Sequence, residues 1–267
     1  MIELPNGNVI LFDEHMDDYR QRSQKLLTSH QLGNFRTSPQ LYHKIKTGEV
    51  QPKFDSRPLA VGRGAHTLLL EGPEVYEQEY NWAPPRHTTK PFKHYTPTSQ
   101  KFKDWDMRQH QTGLMPEEND MIHNMVHSVG RHRQASNLLR DGRAEVVVRG
   151  SILGVPAQCR IDYLIRQQEI SFPDFKSCAD IDGFHHDIYK RFYCDQLAFY
   201  SLMLGDVECS AYLIACEKQE PYRTGVWRVT QSMLKDRRER VSELILDLKE
   251  CTETNTWPTG YEEVREC

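Results

Sequence analysis

The chain has 267 residues, 38% of them hydrophobic and 27% charged, with a net charge of -4. That is enough chain for one large globular domain, too polar for a membrane protein, and too acidic overall for a simple polycation. No apolar run has the length of a membrane span, the start "MIELPNGNVILFDEHMDD" lacks a signal-peptide layout, and the seven scattered cysteines form no C-x-x-C pair. The expected product is soluble, intracellular and free of zinc ribbons, disulfide frameworks or iron–sulfur clusters.

In chain order, residues 14–46 read as helical and polar, with Ser38-Pro39 as a start signal and Gly48 as a stop. The stretch "RPLAVGRGAHTLLLEGPE", residues 57–74, reads as a helix. Its Ala60, Gly62, Gly64 and Ala65 allow close packing, and His66 sits in its middle. Residues 75–113 read as loop-rich. Within them Arg86 to Arg108 carries six Lys/Arg against two Asp, interleaved with aromatic residues. This mixture suits phosphate contact and base stacking, with Lys90, Lys93, Lys101 and Lys103 as candidate DNA-binding residues. It equally suits a solvated loop.

One or two helices then lead to Asp141-Gly142. Beyond residue 144 the pattern turns to period two: "AEVVVRG", "AQCRIDYLIR" and "EISFPDFKS" predict three strands in an antiparallel meander. A helix over 184–204, one or two strands and an amphipathic helix over 231–250 complete a mixed α/β domain. The divisions are 1–75, a helical part carrying His66; 76–143, a loop and helical insertion; and 144–262, a core within one domain spanning 1–267.

Asp162 and Asp174 stand on consecutive predicted strands. Two close carboxylates repel unless a cation lies between them, and Mg²⁺ or Mn²⁺ favours such oxygen ligands. The backbone carbonyl of Phe175 could add another, and Lys176 shares a face with Asp174. Together they form a coherent phosphodiester-hydrolysing centre. An Asp–Lys pair on a strand is also often a surface salt bridge of little consequence. His123 and His127 have the spacing of a helical zinc pair, but Asn124 stands where a catalytic Glu would be, so they read as ordinary helix histidines. Glu217 and Lys218 read as a chance charge pair.

Asp162 followed by Asp174-Phe175-Lys176 resembles the PD-(D/E)xK nuclease superfamily, whose core runs helix, three strands, helix, strand. Asp162 fills the first acidic position, but Ile161 precedes it where the family has proline. His66 in "GRGAHTLLLEGPE" is similar to the helical histidine of RecB-type and RecE-type exonucleases. Gln196 and Tyr200 in "CDQLAFY" resemble their Q-x-x-x-Y motif. Over roughly residues 30–262 the chain resembles RecE-like exonucleases (phage-type exodeoxyribonuclease VIII).

The resemblance implies a restriction-endonuclease-like core, a central mixed sheet flanked by helices. It implies His66, Asp162, Asp174 and the Phe175 carbonyl as metal ligands, with Glu145 a weaker candidate. Lys176 would activate water, and Gln196 and Tyr200 would hold a DNA phosphate or Lys176. The implied activity is a Mg²⁺- or Mn²⁺-dependent 5′-to-3′ exodeoxyribonuclease on double-stranded DNA ends. It would leave 3′ tails for a RecT-like annealing protein in recombination, in the cytoplasm of a bacterium or phage-infected host. A homo-oligomeric ring is the expected assembly. The alternatives are another nuclease specificity (a repair single-strand nuclease or an endonuclease) or a non-catalytic DNA-binding phage protein on the same fold.

Overall fold

A computed structural model of the chain describes residues 1–51, 56–82, 100–107, 111–205, 208–262 and 264. Its first elements are the short strands β1 (Ile2–Glu3) and β2 (Val9–Leu11), followed by the helices α1 (Met16–Arg22), α2 (Ser29–Thr37), α3 (Pro39–Lys46) and α4 (Arg57–Leu70). The stretch expected as one helical region over 14–46 is therefore three helices. A capping box divides it: Thr28 accepts from the Gln31 amide and Gln31 accepts from the Thr28 amide. Ser38 caps α3 with Pro39 behind it, as its sequence announces.

Next come α5 (Pro73–Glu79), β3 (Tyr80–Trp82), α6 (Gln100–Asp106) and β4 (Thr112–Leu114), so the described part of 75–113 is more ordered than its composition suggests. Then follow α7 (Pro116–Arg131), α8 (Arg133–Leu138), β5 (Arg143–Ile152), β6 (Val155–Arg166) and β7 (Ile170–Cys178). The chain continues through α9 (Phe184–Lys190), α10 (Tyr193–Leu204), β8 (Cys209–Glu217), β9 (Thr224–Val229) and α11 (Gln231–Thr254). The single helix expected over 184–204 is broken at Phe192, whose φ of 56° is left-handed and stops α9 from running on.

The main sheet has the order β1-β2-β5-β6-β7-β8-β9. β5, β6 and β7 form the antiparallel meander, while β7 and β8 are parallel and need the α9–α10 crossover between them. The N-terminal part is thus not purely helical; β2 pairs with β5 and extends the sheet. Helices cover both faces. One core gathers β5–β8 side chains against α2, α10 and α11. The other gathers Phe175, Ile214 and Cys216 against α4, α5 and α7. β8 is buried on both faces, and α10 is buried nearly all round. Five of the cysteines fill these cores as free thiols.

Two features of α4 bring His66 close to the sheet. A Cβ on Gly62 would lie 2.8 Å from Ser177 Oγ on β7, and one on Gly64 would lie 2.6 Å from Ile122 Cδ1 with Tyr76 and Tyr80 behind it. Glycine lets the helix settle where a larger residue would lift it. Gly64→Val is expected to cost about 1–3 kcal/mol by overpacking, read as a lower urea midpoint at unchanged slope. Among the described residues, no helix is long and apolar enough to cross a membrane.

Candidate active site

The strand registers align the acidic residues. β5 and β6 pair Ala144 with Tyr163 and Val146 with Ile161; β6 and β7 pair Ile165 with Ser171 and Arg166 with Ile170. Continued, these registers set Glu145, Asp162 and Asp174 in one row across three strands. The row is where the ladders become irregular. Glu145 has a φ of 55°, a left-handed conformation that a glutamate holds only when its surroundings impose it. Between β6 and β7 the Asp162 carboxylate, rather than a ladder carbonyl, takes the Phe175 N–H at 2.9 Å.

Side chains from both helical layers meet at this row. From α4, His66 Nε2 lies 3.0 Å from Asp162 Oδ2, and its Nδ1 lies 3.2 Å from Glu145 Oε1. From α10, Gln196 Nε2 donates to Asp174 Oδ1 at 3.0 Å and to the Tyr200 hydroxyl at 2.6 Å. Lys176 Nζ is 2.5 Å from Asp174 Oδ2 and 5.0 Å from the centre of the Tyr193 ring. On the His66 side, Arg160 pairs through Nε with Glu145 and through Nη2 with Glu71 at 3.3 Å.

Burial and neighbouring charge push these groups apart in acidity. Burial, then Asp162, raise Asp174 to about 7 against the pull of Lys176. Asp162 is equally enclosed, but His66, Lys176 and the Phe175 amide outweigh burial and hold it at about 2. Burial raises Glu145 to about 7 despite His66 and Arg160. For His66, burial opposes the charged ring, yet Asp162, Glu145 and Asp174 override it and lift the imidazole to about 9. Burial likewise works against the Lys176 ammonium, and Asp174 and Asp162 overcome it and raise its pKa.

The donor set fits a hard divalent ion. Three largely buried carboxylates and an imidazole converge here, and beyond their ion-pair contacts with His66 and Lys176, Glu145 Oε1 and Asp174 Oδ2 make no hydrogen bond, which leaves lone pairs for a cation. Among the described residues, His66, Glu71 and Glu145 also have donor atoms within 4.8 Å of one another. His66 is therefore shared: Nε2 faces the Asp162 set expected from the sequence, and Nδ1 faces the Glu71–Glu145 group.

The sequence profile of a family described as "PDDEXK-like domain of unknown function (DUF3799)" matches residues 28–267. The chain belongs to this family. The fold of the chain is similar to that of a solved structure, the "Putative exonuclease" from Eubacterium rectale. It superposes with a TM-score of 0.68 over 96% of each chain at 11% identity, a likeness of fold alone. A second, the structure of SSO0001, covers 49% of this chain and 57% of its own at 20% identity with a TM-score of 0.31, and carries no argument. No curated protein matches the chain.

Of the residues expected at the PDDEXK-like centre, His66, Asp162, Asp174, Lys176, Gln196 and Glu145 come together, with the Phe175 backbone beside Asp162. Tyr200 is placed differently from expectation. It is 4% exposed and receives a hydrogen bond from Gln196, so it steadies Gln196 and is too deep to hold a phosphate. Gln196 in turn grips the Asp174 carboxylate rather than Lys176.

Lys90 and Lys93 lie outside the described residues, as does the side chain of Lys101; Lys103 is exposed on α6. Glu217 is buried and pairs with Arg223, not Lys218, so it anchors a turn. Sequence reading missed Glu71 and Arg160. Both lie two to five residues from a recognised site residue, Arg160 on the same strand face as Asp162.

Proposed function

We propose that the chain is a divalent-metal-dependent exodeoxyribonuclease acting on linear double-stranded DNA, RecE-like in its 5′-to-3′ direction. The observation that carries this reading is the meeting of His66, Asp162, Asp174 and Lys176 where β6 and β7 part. His66, Asp162, Asp174 and the Phe175 carbonyl would hold Mg²⁺ or Mn²⁺. When bound, such an ion polarises a phosphate and acidifies water. The chain's own groups do the rest. Lys176 orients the attacking water and steadies charge on the phosphate, while Gln196, fixed by Tyr200, keeps Asp174 in its rotamer.

A 500 Å³ cavity opens beside Lys176 and Gln196, lined by Arg36, Arg191, Phe192 and Tyr193. Cations and aromatic rings next to the reacting groups favour a polyanionic strand carrying bases. In this reading the product is a 3′ tail handed to a RecT-like annealing protein during recombination. A ring of subunits would keep the enzyme on its substrate, and both would work in the cytoplasm of a bacterium or phage-infected cell.

The test is incubation of end-labelled linear duplex and closed-circular duplex with Mg²⁺ or Mn²⁺, with and without chelator. The expected result is stepwise loss of the linear 5′-ended strand, an intact circle, and no reaction under chelation. Cutting of the circle would replace this reading with an endonuclease. Loss of label from the 3′-ended strand alone would reverse the direction.

A further inference from the structure

We propose that the Arg160 guanidinium fills the place a second divalent ion would take, so that the centre holds one ion only. The inference rests on the reading of His66, Asp162 and Asp174 as a divalent-ion centre. On the other side of His66, its Nδ1 and the carboxylates of Glu71 and Glu145 converge closely enough to hold a metal. Arg160 stands among them. Its Nε pairs with Glu145, its Nη2 lies 3.3 Å from Glu71, and its side chain is 9% exposed. Nη1 sits 3.0 Å from Met16 Sδ, closing the guanidinium in from α1.

Arginine keeps its charge throughout the accessible pH range. In this buried setting the guanidinium is a fixed positive charge set between the carboxylates of Glu71 and Glu145. A divalent ion entering there would meet the guanidinium at close range in a poorly screened environment. Unlike an exchangeable ion, Arg160 cannot leave. It also fixes Glu145, whose left-handed backbone and contact with His66 Nδ1 set the imidazole with Nε2 toward Asp162. Arg160 is thus a positioning residue, a permanent cation that orients the histidine through Glu145.

The test counts Mn²⁺ bound per chain by equilibrium dialysis for the full-length wild type, Arg160→Gln and Glu71→Gln, with folding followed by circular dichroism. The expected counts are one for wild type, two for Arg160→Gln, and one for Glu71→Gln. Two ions in wild type falling to one in Glu71→Gln would overturn the proposal, because the cluster would then bind metal with Arg160 present. One ion in a folded Arg160→Gln would overturn it too, since the guanidinium would not be what keeps a second ion out. No ion in wild type would remove the divalent-ion centre itself. If Arg160→Gln does not fold, wild type and Glu71→Gln decide: one ion in each supports the proposal.

Discussion

Lys176→Ala is expected still to bind a divalent ion, while hydrolysing DNA on the order of 10²–10³-fold more slowly at saturating metal. Lys176 reaches Asp174 from the same strand at 2.5 Å and lines the cavity proposed for the strand. Removing it leaves His66, Asp162 and Asp174 in place to ligate, so at saturating metal the loss should appear in kcat. Lys176→Arg should not restore the rate. The ammonium is a compact charge held between Asp174 and the Tyr193 ring, where a planar fork has different reach and geometry. Burst and steady-state rates on linear duplex, with Mn²⁺ binding measured in parallel, decide the matter. A loss below about threefold would show that Lys176 only neutralises Asp174.

Divalent-ion affinity is expected to rise with pH, most steeply below pH 7 and still rising to pH 9. An ion can take Asp174 only as carboxylate and His66 only as neutral imidazole. Burial and Asp162 lift Asp174 to about 7, so below that pH a proton competes for its oxygens. The carboxylates around His66 outweigh its burial and hold it protonated up to about 9. From pH 7 to 9 one proton, that of His66, must leave, and each displaced proton contributes about tenfold in affinity per pH unit. Isothermal titration with Mn²⁺ at pH 6, 7, 8 and 9 measures both the affinity and the proton released, the latter from buffers of different ionisation heat. His66→Gln should flatten the upper segment. An affinity independent of pH between 7 and 9 in the wild type would mean that His66 does not ligate.

Much of this was legible in the sequence because the site lies on regular elements. The period-two runs announced β5, β6 and β7, and the helical spacing of Gln196 and Tyr200 announced a shared face of α10. What escaped detection depends on tertiary contact. Nothing local marks Phe192 as left-handed, because neither glycine nor proline stands there; the Arg36 guanidinium lies over its ring, 3.1 Å from the centroid. Arg160 alternates with Asp162 like any strand charge, and only the folded packing of α4 brings Glu71 to it. Tyr200 was expected at a phosphate or at Lys176 from the resemblance to the Q-x-x-x-Y motif, and its spacing from Gln196 fits a surface as well as a core. The depth of α10 decides between them. The Thr28–Gln31 capping box, by contrast, was readable as T-x-x-Q and would have divided the 14–46 region correctly.

The most direct measurement is the anomalous diffraction of crystals grown with Mn²⁺. The account predicts one strong peak about 2.1 Å from carboxylate oxygens of both Asp162 and Asp174, with His66 Nε2 and the Phe175 carbonyl completing the protein ligands. Absence of a peak there at saturating Mn²⁺, or a sole peak between Glu71 and Glu145, would contradict it.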